Sequence, residues 1–258
     1  MSILQTAERS SHLDPSENVI FQRHLRAYKE ALKMISGTVL EIGCGEGYGI
    51  IELSEKSNKF IALDKYFSES IQKTINKDNV VFKQLTVPPL TGIDDNSIDY
   101  VVTFQVIEHI KDDEVFIEEI YRVLKPGGIL ILTTPNLLMS LSRNPWHIRE
   151  YHPEGMREIL QTSFQDITLK GVYGNDKVMK YYEANSVSVN KLRKWDFLNL
   201  EKNLPRWMLQ IPYDILNRFN RHGLQDNNMK LVNEMKYTDY HIKDLSDDCL
   251  DFFCIAKK

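Results

Sequence analysis

Residues 39–49 read V-L-E-I-G-C-G-E-G-Y-G. An apolar run enters Gly43, Gly45, Gly47 and Gly49, and a short helical pattern follows. Glycines in such a turn let the backbone reverse sharply and let a ligand approach it closely. The dinucleotide fingerprint G-x-G-x-x-G does not fit. Counted from Gly43 its third glycine falls on Tyr48, and counted from Gly45 it falls on Ile50. Glu41 and Glu46 flank the turn, so a pyrophosphate at that helix start would meet two carboxylates. A ligand carrying an ammonium and a sulfonium is favoured instead.

Outward from this turn the pattern alternates strand and helix. Apolar runs at 38–42, 60–63, 80–82, 98–104, 129–134 and 166–172 read as strands. Helical spacing is found at 49–57, 68–75, 112–124 and 153–162. Strands without polar alternation imply a sheet covered on both faces, and the right-handed crossover rule makes it doubly wound. A last apolar run, 249–256, follows about 75 residues rich in Tyr, Trp, Lys and Asn. The expected organisation is an N-terminal helical segment at 1–35 and a ligand-binding α/β domain at 36–174 and 249–258. A helical insertion at 175–248 completes it.

The chain has 258 residues, 42% hydrophobic and 26% charged, which fits a folded globular protein and excludes disorder. A net charge of −4 argues against a general polyanion binder such as a nucleic-acid protein. Cys44, Cys249 and Cys254 are too few and scattered for a disulfide framework, and no C-x-x-C occurs. The first ten residues lack a basic head followed by an apolar run, and no stretch approaches a membrane span. A cytoplasmic protein is the expectation.

Asp64 ends the second strand run, 21 residues after Gly43. A carboxylate there can accept hydrogen bonds from both ribose hydroxyls. A nucleoside with a cationic tail is S-adenosylmethionine. The sequence resembles the class I S-adenosylmethionine-dependent methyltransferases. The resemblance rests on the glycine turn, I-A-L-D at 61–64, D-N-S-I-D-Y-V-V at 95–102, V-I-E-H-I at 106–110 and R-V-L-K-P-G-G at 122–128. These motifs cover residues 37–135, about 40% of the chain. Each is weak alone, and their order and spacing carry the weight.

The resemblance implies a seven-stranded, mostly parallel sheet with an antiparallel last strand. It places the cofactor against Glu41, Gly43, Cys44, Gly45, Gly47, Tyr48, Asp64, Lys65 and Phe104. Many relatives carry an acid after the third strand, near the adenine. Here that stretch is Q-L-T-V-P-P-L at 84–90, and Thr86 or the Val87 backbone takes its place.

Three further features bear on chemistry. Gln105-Val106-Ile107-Glu108-His109 follows the fourth strand. Some relatives use E-x-x-E-H there to bind a divalent metal, but Gln105 is a poor anchor, so no metal is expected. Glu108 and His109 then open a helix beside the cofactor. The loop R-N-P-W-H-I-R-E-Y-H at 143–152 lies beyond the fifth strand, where open α/β sheets bind ligands. It offers His147, ahead of His152, as a general base, with Arg149 as a clamp for an acidic group; an ordinary surface loop is the competing reading. His109 is a second catalytic candidate. In the insertion, Trp195, Trp207, Tyr213 and Phe219 form either a small core or an acceptor wall. Residues 176–230 hold ten Lys/Arg against six Asp/Glu.

The expected function is methyl transfer to an O, N or C nucleophile of a small-molecule or glycan-type acceptor. The insertion would serve as acceptor lid. An RNA methyltransferase and a non-catalytic cofactor-binding regulator are the alternatives, and a nicotinamide oxidoreductase is disfavoured by Glu41 and Glu46.

Overall fold

Strand β1 (Thr38–Ile42) is flanked on both sides by parallel partners, β2 (Lys59–Asp64) and β4 (Ile98–Phe104). The computed structural model describes residues 14–258, so residues 1–13 of the expected N-terminal segment lie outside the described residues. β3 (Val80–Gln84) extends the sheet beyond β2, and β5 (Leu124–Pro135) extends it beyond β4. β6 (Asp166–Gly174), β7 (Tyr240–Asp244) and β8 (Asp251–Lys257) complete the order β3-β2-β1-β4-β5-β8-β6-β7. The order reverses between β1 and β4. That topological switch point opens a crevice at the carboxyl ends of the two strands.

The doubly wound sheet is as expected, but it has eight strands rather than seven. The extra strand, β7, lies inside the segment assigned to a helical insertion. It pairs antiparallel with β6 at the sheet edge. Tyr240 is buried and its hydroxyl donates to the Val19 carbonyl at 2.8 Å. His241, Lys243 and Asp244 make this strand polar, as an exposed edge requires. Five polar-rich residues gave no apolar run to read. β8 inserts between β5 and β6, antiparallel to both. β5 also starts earlier than expected. Lys125-Pro126-Gly127-Gly128 belongs to the strand as an irregular entry, with a register shift against β4 and Gly127 at φ +81°.

Each face of the sheet carries its own core. On one, Leu40, Leu63, Leu130 and Phe252 pack against α4 (Asp113–Val123) and α5 (Pro153–Gln161). On the other, Phe60, Val102, Ile131 and Phe253 pack against α1 (Asn18–Ala31), α2 (Tyr48–Leu53), α3 (Glu69–Thr74) and α6 (Asp176–Arg193). Neighbouring residues of one strand thus face opposite cores, which is why the strands read as continuous apolar runs. The insertion continues through α7 (Leu200–Asn203), α8 (Arg206–Asn227) and α9 (Met229–Asn233). α8 returns along α6, with the Asn220 amide donating to Asn185 Oδ1 at 2.7 Å.

Phe253 is 1% exposed and sits in β8, the strand that joins β5 to β6. Phe253→Ala is expected to cost about 3–5 kcal/mol. Urea denaturation of the two proteins measures it.

Candidate active site

At the end of β1 three glycines adopt left-handed backbone, Gly43 at φ +78°, Gly45 at +54° and Gly47 at +86°. The amides of Gly43 and Cys44 donate to the Leu63 carbonyl at 2.8 and 3.0 Å, which stitches the turn to the end of β2. Two glycines are also required by space. A Cβ on Gly43 would stand 2.3 Å from Val106 Cγ2, where the chain leaves β4. A Cβ on Gly49 would stand 2.0 Å from Glu41 Oε1. At Gly45 the same atom would meet nothing within 4 Å, so this part of the turn borders open space.

The Glu41 side chain is buried beneath α2. The Tyr28 hydroxyl donates to Oε1 at 2.7 Å, and Oε2 is buried with no hydrogen-bond partner among the described residues. Burial pushes its carboxyl up to about 7; the Tyr28 hydrogen bond offsets part of that, and the Asp64 charge adds to it. Asp64 accepts from the Gly45 amide through Oδ2 and from the Tyr66 amide through Oδ1, both at 2.9 Å. It therefore braces the turn as well as ending β2. Cys44 is buried and Lys65 is exposed. Thr86 is exposed and Val87 half-buried, just past β3. Phe104 packs edge-on against Tyr28, centroids 4.8 Å apart, and Tyr48 edge-on against Phe21 at 5.0 Å. The residues expected around the cofactor thus gather at the carboxyl ends of β1 to β4. Glu46 differs, since it accepts from the Ser70 hydroxyl at the start of α3.

Beyond β4 the chain turns through Gln105, at φ +57°, into a short 3-10 turn holding Glu108 and His109. Glu108 is buried and accepts from Thr134 Oγ1 at 3.0 Å. Burial raises its carboxyl above the usual range, and the imidazoles of His109 and His147 offset part of this. The Glu108 carbonyl accepts from the Ile148 amide at 2.6 Å, which docks the 143–152 loop here. The structure brings together the two catalytic candidates. The rings of His109 and His147 lie 5.0 Å apart, edge to face. His147 Nδ1 lies 2.6 Å from Glu150 Oε1, and Nε2 lies 2.8 Å from the Asn144 amide nitrogen. A carboxylate only accepts, so Nδ1 carries the proton and Nε2 presents its lone pair. By the same argument His109 Nδ1, 3.0 Å from the Trp146 carbonyl, is a donor.

Glu108, His109 and His147 each offer a ligand atom, all within 4.8 Å of one another. The sequence pattern could not show this cluster, because His147 comes from a distant loop. The other residues of that loop do different work. Arg149 pairs with Asp113 of α4, which also accepts from the Tyr151 hydroxyl at 2.6 Å. His152 is exposed at the N-terminus of α5.

A cavity of about 260 Å³ opens over this cluster, walled by α1, α6, α8 and the loop after β5. His147, Glu150, Arg23, Tyr181, Tyr182 and Tyr213 are among its lining residues. Arg23 Nε lies 3.1 Å from Asp251 Oδ2. Sequence reasoning missed Arg23 and Glu150; an acid heading the apolar run of β8 was the available signal that a cation must face it. Tyr213 alone of the four insertion aromatics reaches the cavity. Trp195, Trp207 and Phe219 are 78%, 71% and 74% exposed, so they form neither an acceptor wall nor a core.

Residues 40–132 match the family described as the methyltransferase domain. A Mycolicibacterium smegmatis protein, described as a "probable S-adenosylmethionine-dependent methyltransferase", is 36% identical over 168 residues, covering 61% of this chain and 63% of that protein. The ubiquinone biosynthesis O-methyltransferase of Rickettsia typhi is 30% identical over 59% of this chain and 70% of its own length. A crystal structure of an S-adenosylmethionine-dependent methyltransferase from Thermotoga maritima superposes with a TM-score of 0.55 at 15% identity, over 93% of this chain and 91% of that one. The chain belongs to the class I S-adenosylmethionine-dependent methyltransferases. It spans less than two thirds of the length of the mycobacterial relatives it matches.

Because Glu41 holds its proton more tightly in the folded chain, stability is fully present below the ordinary value of 4.5. It falls as pH rises toward about 7 and levels off above that. Glu41→Gln is expected to remove this part of the pH dependence, read as thermal midpoints between pH 5 and pH 8.

Proposed function

We propose that this protein transfers the methyl group of S-adenosylmethionine to a hydroxyl of a small-molecule acceptor held in the cavity over His147. The observation that carries this reading is the His147–Glu150 pair at the cavity wall, beside the carboxyl end of β4. The R. typhi relative, an O-methyltransferase by name, supports an oxygen acceptor.

The residues at the glycine turn fit the cofactor. The partnerless Oε2 of Glu41 suits an ammonium or sulfonium, and the open space at Gly45 admits a ligand to the backbone. Asp64, at the end of β2, would accept from ribose hydroxyls, with Lys65 beside it. Cys44, Gly47 and Tyr48 would shape the turn around the methionine part. Thr86 and Val87 would face the adenine, and Phe104 would back the methyl end. The bound cofactor supplies an electrophilic methyl on sulfur, open to in-line displacement.

The protein's own contribution is positioning and proton handling. Holding acceptor and donor in line removes much of the entropic barrier. An acceptor hydroxyl would replace the Asn144 amide at His147 Nε2 and give up its proton there. Glu150 holds the imidazole in that tautomer and stabilises it once charged. The insertion forms the lid that excludes water above the reacting atoms.

Calorimetric titration is expected to show binding of S-adenosylmethionine and S-adenosylhomocysteine but not NAD. Asp64→Ala is expected to weaken that binding by about 1.5–3 kcal/mol. Since Asp64 also caps two backbone amides, the variant should lose some thermal stability as well. An unchanged dissociation constant removes Asp64 from the site.

With an acceptor found by screening against labelled methyl donor, His147→Asn should lower turnover by about 10²-fold or more and leave cofactor affinity unchanged. A chelator is expected to leave the rate unaltered. Loss on chelation, restored by a divalent cation, would instead assign Glu108, His109 and His147 to a metal and displace the base reading.

A further inference from the structure

Between α6 and α8 the chain presents Trp195, Phe197 and Leu198 at 78%, 80% and 71% exposure. α8 continues the surface. Trp207, Ile211, Ile215 and Phe219 recur every fourth residue, on one stripe of the helix, and are 71%, 72%, 50% and 74% exposed. The opposite side of the same helix lines the cavity with Tyr213, Asn217 and Asn220. An apolar stripe of this size on the outer side of a helix marks a binding surface.

Charge says what covers it. Residues 191–206 hold five Lys/Arg and two acids. Both acids are engaged within the segment or at its base. Asp196 accepts from the amides of Leu200 and Glu201 at 2.7 and 3.0 Å, capping α7. Glu201 accepts from the Arg193 guanidinium at 2.7 and 2.8 Å and from the Arg143 amide at 2.8 Å. The exposed lysines Lys191, Lys194 and Lys202 are left to act outward, interleaved with the aromatic rings. A second copy of the chain meeting this surface symmetrically would bring like charges together. A bilayer with anionic headgroups takes both features at once: rings enter at headgroup depth, and ammonium groups reach the phosphates.

We propose that the α6–α8 connection and the outward stripe of α8 dock this protein on an anionic membrane surface. The chain lies on the membrane rather than crossing it, since no helix among the described residues is long and apolar enough to span one. Docking by this face sets the cavity, on the other side of α8, one helix away from the lipid. The inference stands independently of methyl transfer.

The test is flotation of the full chain with phosphatidylcholine vesicles, with and without phosphatidylglycerol. Binding to the phosphatidylglycerol vesicles is expected, with weakening by added salt and a blue shift of tryptophan fluorescence. The Trp195→Ser, Trp207→Ser double variant should bind at least about tenfold more weakly. The Lys191→Gln, Lys194→Gln, Lys202→Gln triple variant should lose the preference for phosphatidylglycerol. All five positions are exposed, so both variants should keep the parent's melting temperature and S-adenosylhomocysteine affinity. Absence of flotation with either vesicle overturns the proposal. So does equal binding to both vesicles. So does a dimer in solution that the tryptophan changes dissociate while vesicles bind nothing, which would assign the surface to a second copy.

Discussion

A carboxylate buried at the end of a parallel strand has to be accommodated by everything around it. Glu41 occupies that position. Its Oε1 takes the Tyr28 hydroxyl from α1, and its oxygens fill the space where residue 49 would carry a Cβ. Gly49 is therefore fixed by the acid two residues before the turn. α1 is tied to β1 by the same contact. Burying such a group costs free energy unless it is paired, and one oxygen has no partner among the described residues. In the proposed function the cofactor's cationic end supplies the compensating charge. The fold would then hold back part of its electrostatic stability until ligand arrives, and binding the donor would tighten the contact between α1 and the sheet.

The switch point explains the rest of that edge. β1 and β4 run parallel side by side, so the chain leaving β4 packs against the glycine turn, and Val106 fills the volume that Gly43 lacks. Gln105 takes a left-handed backbone conformation to make that pass. Glu108 then offers its carbonyl to the 143–152 loop and its side chain to Thr134 on β5. One short turn thus joins the donor side of the crevice to the loop that carries His147.

What the sequence revealed and concealed divides along physical lines. β1, β2, β4, β5 and β8 are buried on both faces over most of their length, so continuous apolar runs marked them, while β3 and β6 were marked by shorter apolar stretches. The glycine turn was legible because close packing and left-handed backbone tolerate few other residues. β7 escaped because an edge strand needs only one apolar face and five residues. The proton-holding pair was half legible. His147 stood out by its place after β5, while Glu150 looked like any exposed acid until the loop folded the two side chains to 2.6 Å. Arg23, Tyr181 and Tyr182 of the cavity wall belong to segments remote in sequence, and no periodicity links a helix before β1 to a helix after β6. The exposed aromatics show the limit most clearly. Trp195, Trp207, Tyr213 and Phe219 read as a small core or an acceptor wall, yet only Tyr213 turns inward, because residue spacing cannot say whether a helix face meets protein.

The insertion and the candidate base are mechanically one unit. The Trp146 indole donates to Asp214 of α8 at 3.0 Å, and Arg206 at the start of α8 donates to the Ile148 carbonyl. Arg143 donates to carbonyls at the end of α7, including that of Glu201 at 3.0 Å. Trp146 and Ile148 are the immediate neighbours of His147. A displacement of α8, whether by a lid opening or by a surface pressed against its outer stripe, must therefore pull on the residues either side of the imidazole. The same loop is pinned from below by the Glu108 carbonyl, which accepts from the Ile148 amide, and His147 keeps its contacts to Glu150 and Asn144 beside that anchor. In the proposed function, acceptor entry under α8 and exchange of the Asn144 hydrogen bond at Nε2 would therefore be coupled. The movement that admits an acceptor would also free the nitrogen that is to receive its proton.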